Sequence, residues 1–174
     1  MKRIKINILT LGILCLVATS CSISDFNKQL DEWKSQNETY FTNMKDSTAY
    51  TLYTIPASNG GGSYYYKITT PGIENSISPV VGDQVLVNYR GKLVNGVVFD
   101  QTYTKTVIDS TATPRTFYDN QLIPGFTANL LQMKSGETRS FVLPQELAYG
   151  TQGYSTVSPY STTVWVVQLI KVVH

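Results

Sequence analysis

The chain has 174 residues, 42% of them hydrophobic, with 14 Lys and Arg against 12 Asp and Glu, which suits a single core with an appendage. Its one histidine, His174, is the last residue. A lone terminal imidazole is not expected to converge with a partner in a pocket, which argues against Ser-His and Cys-His nucleophilic catalysis and histidine-built metal sites.

Lys2, Arg3 and Lys5 precede an apolar run from Ile6 to Ala18, and the small residues Thr19 and Ser20 then lead to Cys21. This is the layout of a secretory signal peptide over residues 1–20, too short for a membrane span. A cysteine directly after the signal is the acceptor expected of a bacterial lipoprotein, with Ala18 where the usual box has leucine. The alternative is simple cleavage that leaves Cys21 a free thiol. Lipidation of Cys21 predicts a cell-envelope lipoprotein anchored at the outer membrane. Loss of residues 1–20 removes Cys15 and three basic residues, so eleven basic groups face twelve acidic ones. That near-neutral balance gives no support for binding nucleic acid. An acylated Cys21 leaves no disulfide and no thiolate-metal site, and no cofactor is expected.

From residue 25 to about 46, Phe26, Leu30, Trp33, Tyr40 and Met44 recur at spacings of three, four or seven among charged and amide residues. The pattern predicts an amphipathic helix whose seam is interrupted by Asn37. Three roles are open to it: packing on its own domain, pairing with a second copy into a homodimer through residues 25–46, or standing as a stalk. Residues 50–55 and 64–69, rich in Tyr, Thr and Ile, predict two strands around a flexible Gly-rich loop at 56–62. A carbohydrate-stacking surface is the other use of such tyrosines.

From Val80 onward, turns and strands dominate. Val85, Val87, Tyr89 and Leu93 alternate with Leu86, Asn88, Arg90 and Lys92, predicting a strand with one apolar and one mostly polar face that turns at Asn95-Gly96. A partner strand starts at Val97. Residues 126–133 predict about two helical turns, closed by Gly136; residues 138–143 and 163–173 predict strands. The chain therefore divides into a signal peptide (1–20), a lipidated cysteine with amphipathic helix or stalk (21–48), a strand and Gly-rich linker (49–63) and an α+β domain (64–174).

Five motifs occur in order in that last segment: V-x-V-x-Y-x-G-x-L-x-N-G-x-x-F-D at 85–100, L-I-P-G-F at 122–126, L-L-Q-M-K-S-G-E at 130–137, P-x-x-L-A-Y-G at 144–150, and V-W-V-V-Q-L-I-K-V at the end. This order resembles the FKBP-type peptidyl-prolyl cis-trans isomerases over about residues 64–173. The resemblance implies a bent antiparallel sheet wrapped around one short helix, acting on proline-containing polypeptides and assisting the folding of exported proteins. By position it implies that Tyr89, Phe99, Asp100 and Tyr149 carry the activity. Leu122 and Ile123 would form the groove's rim, Phe126 its floor, and Phe117, Val157 and Trp165 further substrate contacts.

The chemistry such a groove needs is consistent with the missing histidine. Rotation about a prolyl imide is slowed by amide resonance, a barrier of about 18–20 kcal/mol, and no covalent bond changes. Burying the ring among Tyr89, Phe99, Phe126, Tyr149 and Trp165 removes water that favours the charge-separated planar form. A shape complementary to the twisted state then favours it over either isomer. Asp100 would orient a neighbouring hydroxyl rather than act as a base. The sequence departs from the family pattern at three places: Phe126 replaces the usual tryptophan, the loop after Tyr149 keeps only Val157 and Pro159 of an I-P-P pattern, and residues 102–115 form a long insertion. With these departures, a catalytically weak module that holds peptides in the same groove is the competing reading.

Overall fold

The computed structural model describes residues 20–173. Residues 1–19, the side chains of residues 20–22, that of Cys21 among them, and His174 lie outside the described residues. The chain forms two compact units, Met1–Glu32 and Trp33–His174. The helix α1 (Ser20–Asn43) contributes residues to both, and its part in the first exposes Ile23 and Phe26, 66% and 63% accessible. The helix starts earlier than its apolar seam and ends sooner, the chain passing into a 3-10 turn at Met44–Asp46.

The larger unit is one antiparallel sheet. Its strands are β1 (Thr51–Thr54), β2 (Ser63–Thr70), β3 (Gln84–Leu93), β4 (Val98–Gln101), β5 (Arg115–Tyr118), β6 (Thr138–Leu143) and β7 (Thr163–Val173). They lie in the order β1-β2-β6-β7-β3-β4, with β5 also paired to β3. β7 runs along one edge of β3, while β4 and β5 share the other, pairing with 90–92 and 84–87 respectively. Register shifts interrupt the β3–β7, β3–β4 and β2–β6 pairings, and such bulges bend a sheet. The helix α2 (Pro124–Leu130) supplies Phe126 and Leu130 to a core completed by Val85, Val87, Phe141 and Trp165.

The loop between β1 and β2 is a closed structure rather than a loose tether. Ile55 N–H donates to the Gly62 carbonyl at 2.8 Å, a 3-10 turn spans Ala57–Asn59, and Gly60, Gly61 and Gly62 all take positive φ. α2 begins two residues before the expected helix because Pro124 suits a first helical position, where no N–H is required. It also ends earlier: the N–H groups of Gln132 and Met133 bond three residues back, to Asn129 and Leu130, tightening the chain into a turn. A buried Arg139–Glu137 ion pair fixes the exit of this turn, with Arg139 Nη2 donating to the Gln132 carbonyl at 2.6 Å and Glu137 accepting from Lys134 N–H at 3.0 Å.

The second face of β3 is not solvated as its polarity suggests, since Asn88 and Arg90 are both buried. Arg90 lies over the Tyr103 ring at 4.2 Å and donates to the carbonyls of Tyr103 and Lys105 at 2.8 and 2.6 Å. Thr102 bonds both backbone groups of Tyr89, its N–H to the carbonyl and its Oγ1 from the N–H, each at 2.9 Å. The long insertion is thus pinned over β3 by polar groups that bury each other's hydrogen-bonding capacity.

Residues 33–43 of α1 pack on this same unit. Phe41 meets Tyr65 of β2 edge to face at 5.3 Å, and Asn37, fully buried, bonds to Thr162. Of the three roles open to the helix, packing on its own domain holds for this segment.

Candidate functional site

The concave side of the sheet and the N-terminal end of α2 enclose a cluster of aromatic rings. Tyr89 from β3, Phe126 from α2 and Trp165 from β7 are 3–4% accessible. Phe126 meets Trp165 at 5.1 Å and 86°, and Phe99 of β4 meets Trp165 at 5.1 Å and 86°. Phe99 also meets Tyr149 edge to face at 5.9 Å, while Tyr89 touches Phe117, Phe126 and Trp165 at 5.9–6.2 Å. Leu122, Ile123, Phe117, Phe99 and Tyr149 are only partly buried where they pack on this cluster, so they form its open side. Mostly perpendicular rings are the arrangement their quadrupoles favour, and the partly buried ones present an apolar surface.

This convergence requires Gly91. A Cβ there would lie 2.6 Å from Phe99 Cζ and 2.7 Å from Trp165 Cζ3, so any side chain would displace the two rings.

A polar triangle borders the rings. The Tyr89 hydroxyl donates to Asp100 Oδ2 at 2.8 Å and accepts from Arg115 Nη1 at 2.8 Å, and Arg115 lies 3.6 Å from Asp100 Oδ1. Burial pushes the Tyr89 phenol far above its ordinary range, aided by its hydrogen bond to Asp100 and the Asp100 charge, with Arg115 acting in the opposite sense. Tyr149 is pushed up to about 12, again mainly by burial, then by Asp100 and Tyr154. Both phenols are therefore neutral hydrogen-bond donors at physiological pH. The site combines apolar walls, neutral donors and one carboxylate already engaged by two partners. It can desolvate and orient an apolar ring and its flanking carbonyls, and it holds no group arranged as a nucleophile.

Tyr89, Phe99, Asp100, Phe117, Leu122, Ile123, Phe126, Tyr149 and Trp165 all come together here. Val157 stands apart from the core cluster: it is buried, 4% accessible, within a turn where it and Tyr154 exchange two backbone hydrogen bonds of 2.9 Å. Cys21 lies in the other unit. Sequence reasoning missed Arg115 as a site residue. The signal was its position two residues before Phe117, which in a strand places both on one face. Tyr154, stacked on Tyr149 at 5.9 Å and 11°, was visible only as part of an altered loop.

Residues 75–170 match the family model described as FKBP-type peptidyl-prolyl cis-trans isomerase. The chain belongs to that family. It is 39% identical over 95 residues to the FKBP-type peptidyl-prolyl cis-trans isomerase FkpA of Escherichia coli (strain K12), covering 55% of this chain and 33% of that protein. It is 30% identical over 150 residues to the outer membrane protein MIP of Legionella longbeachae, covering 86% of this chain and 58% of that protein. The chain thus spans 33% to 58% of the length of these two relatives. The crystal structure of FkpA from Escherichia coli superposes with a TM-score of 0.69 at 27% identity, over 88% of this chain and 65% of that one. The bent antiparallel sheet around one short helix is the FKBP fold, and the α+β reading of the sequence holds.

Proposed function

We propose that this chain is a peptidyl-prolyl cis-trans isomerase that assists the folding of exported proteins. The observation that carries the reading is the aromatic cluster of Tyr89, Phe99, Phe126 and Trp165, with Tyr149 a neutral donor partly buried at its open side. A pyrrolidine ring seated on the partly buried Phe99 and Tyr149, above the buried Phe126 and Trp165, would leave water behind, and the imide would lose the solvation that favours its planar form. The Tyr149 hydroxyl would hold a carbonyl beside the rotating bond. Asp100, engaged by Tyr89 and Arg115, keeps the wall in register. Catalysis then comes from binding the twisted imide better than either planar isomer. A protease-coupled assay on a prolyl peptide tests this: the signal-processed chain should accelerate the cis-to-trans phase in proportion to its concentration, and an unchanged phase would remove the enzymatic reading.

The same proposal places the domain at the cell envelope, held to the outer membrane through a lipid on Cys21. Support comes from the charged, apolar and small-residue layout before that cysteine and from likeness to an outer membrane protein. The exposed Ile23 and Phe26, on one stripe of α1 with Leu30, favour a homodimer through the N-terminal part of the helix. Sedimentation equilibrium of the signal-processed chain should give a dimer that Phe26→Lys converts to monomer. A monomer in both cases would remove the dimer.

A further inference from the structure

Between Tyr149 and β7 the chain makes a flap, residues 153–160, beside the groove. Its inner end is tied to the site. Tyr154 stacks on Tyr149, and Gly153 N–H donates to the Tyr149 carbonyl at 3.1 Å. At Gly153, with φ of +67°, a Cβ would fall 2.3 Å from the Val157 carbonyl oxygen, so the flap is folded tightly on itself.

Its outer end is tied to α1. Tyr160 holds φ at +62°, an unfavourable conformation for an aromatic residue, with its N–H bonded to the Gly150 carbonyl at 3.0 Å and Lys34 Nζ 5.0 Å above its ring. Ser161 Oγ donates to the Ser158 carbonyl at 2.6 Å and accepts from Trp33 Nε1–H at 3.2 Å. Thr162 donates twice to one residue of the helix, its N–H to Asn37 Oδ1 at 2.7 Å and its hydroxyl to the Asn37 carbonyl at 3.0 Å. Asn37 Nδ2 completes the set by donating to the Trp33 carbonyl at 2.8 Å.

Every one of these helix contacts falls on residues 160–162, where the flap re-enters the sheet. An apolar residue at position 37 would dock the seam without burying an amide, whose desolvation is costly unless each bond is made. What Asn37 adds is direction: a fully satisfied buried network has one geometry, whereas apolar contacts allow the helix to slide.

We propose that Asn37 and Trp33 are positioning residues for the prolyl groove, the docked segment 33–43 of α1 holding the root of the flap and, through it, the Tyr154 ring that backs Tyr149. This rests on the isomerase reading for its kinetic consequence. With the root released, the bound peptide must order the flap, a cost paid equally by ground and transition states and so seen in KM rather than kcat.

The test compares amide hydrogen exchange of residues 150–162 with that of β3, β6 and β7, together with kcat and KM on a prolyl peptide, for the signal-processed chain and three variants. Asn37→Ala should speed exchange in 150–162 about tenfold and raise KM about tenfold, with kcat changed by less than roughly twofold. Trp33→Phe, which loses one hydrogen bond, should shift both in the same direction by roughly threefold. Thr162→Ser, which keeps the N–H and the hydroxyl, should stay near wild type. Unchanged flap exchange in Asn37→Ala overturns the proposal. So does exchange that rises equally in β3 and β7, or a fall in kcat at constant KM. Should Asn37→Ala fail to fold, Trp33→Phe decides by the same criteria. If the wild-type chain does not isomerise the peptide, the functional reading fails separately, and the exchange comparison still decides whether the helix orders the flap.

Discussion

Phe126 of α2 and Trp165 of β7 meet at 5.1 Å with their planes at 86°, both nearly inaccessible within the aromatic cluster. The FKBP pattern has its indole at the helix position. Here the larger ring comes from the last strand, where its Nε1–H donates to Thr163 Oγ1 at 2.9 Å and its face stacks on Phe141. The phenylalanine at 126 is thus matched by a tryptophan opposite it, and the space between them is filled.

This pairing predicts a double-mutant cycle. Phe126→Trp alone should destabilise the domain by about 1–3 kcal/mol through overpacking, because both rings are nearly inaccessible. Trp165→Phe alone should also destabilise, by leaving space and stripping Thr163 of its donor. The double exchange should recover part of the loss, a coupling of roughly 0.5–3 kcal/mol in urea unfolding, and fall short by about 1 kcal/mol for the missing hydrogen bond. Additive losses would show that the two rings do not share one volume.

Tyr89, Asp100 and Arg115 act as a unit in this geometry. Tyr89→Phe and Asp100→Ala should each lower kcat/KM by roughly tenfold, and the double variant should be little worse than either, because each single change already breaks the same hydrogen bond. Multiplying effects would assign them separate roles.

Much of the fold was legible because local signals agreed with one another. Asn95-Gly96 closes the β3–β4 turn, the period-two run at 85–93 makes β3, and Gly136 takes φ of +84° where the turn after α2 requires it. The misreadings share a cause: polarity was taken for exposure. Asn37 looked like a break in an apolar seam and is among the most buried residues in the domain. Arg90 looked solvated and is covered by the insertion whose carbonyls it binds. Whether a polar side chain is buried depends on partners more than a hundred residues away for Asn37, and no local pattern records them. β5 was missed for a different reason, since four residues after a proline are too few to show a period. The groove residues were legible through ordered motifs, whereas Arg115 depended on knowing that β5 exists.

The raised phenols predict the alkaline limit of stability. A group whose folded pKa lies above its unfolded value stabilises the fold fully below the unfolded value, near 10 for tyrosine, and that stabilisation is lost as pH rises through the folded one. Burial holds Tyr149 at about 12 and raises Tyr64 and Tyr89 as well. The melting temperature should therefore show no tyrosine-linked loss up to about pH 9.5 and fall above pH 10. Tyr149→Phe should weaken that fall. A melting temperature unchanged to pH 12 would mean the phenols are accessible to solvent.

Rotation of prolyl imides at this site rests on desolvation, fit and one neutral donor, with no acid, base or nucleophile. It is tested most directly by kcat/KM for a prolyl peptide in the wild-type chain, Phe99→Ala and Tyr149→Phe, measured from pH 6 to 9. The wild-type rate should be independent of pH across that window, since burial holds the Tyr149 phenol at about 12. A loss of roughly tenfold or more is expected in Phe99→Ala and a smaller loss in Tyr149→Phe, from one missing hydrogen bond. No acceleration by the wild-type chain, or full activity in Phe99→Ala, would contradict this mechanism.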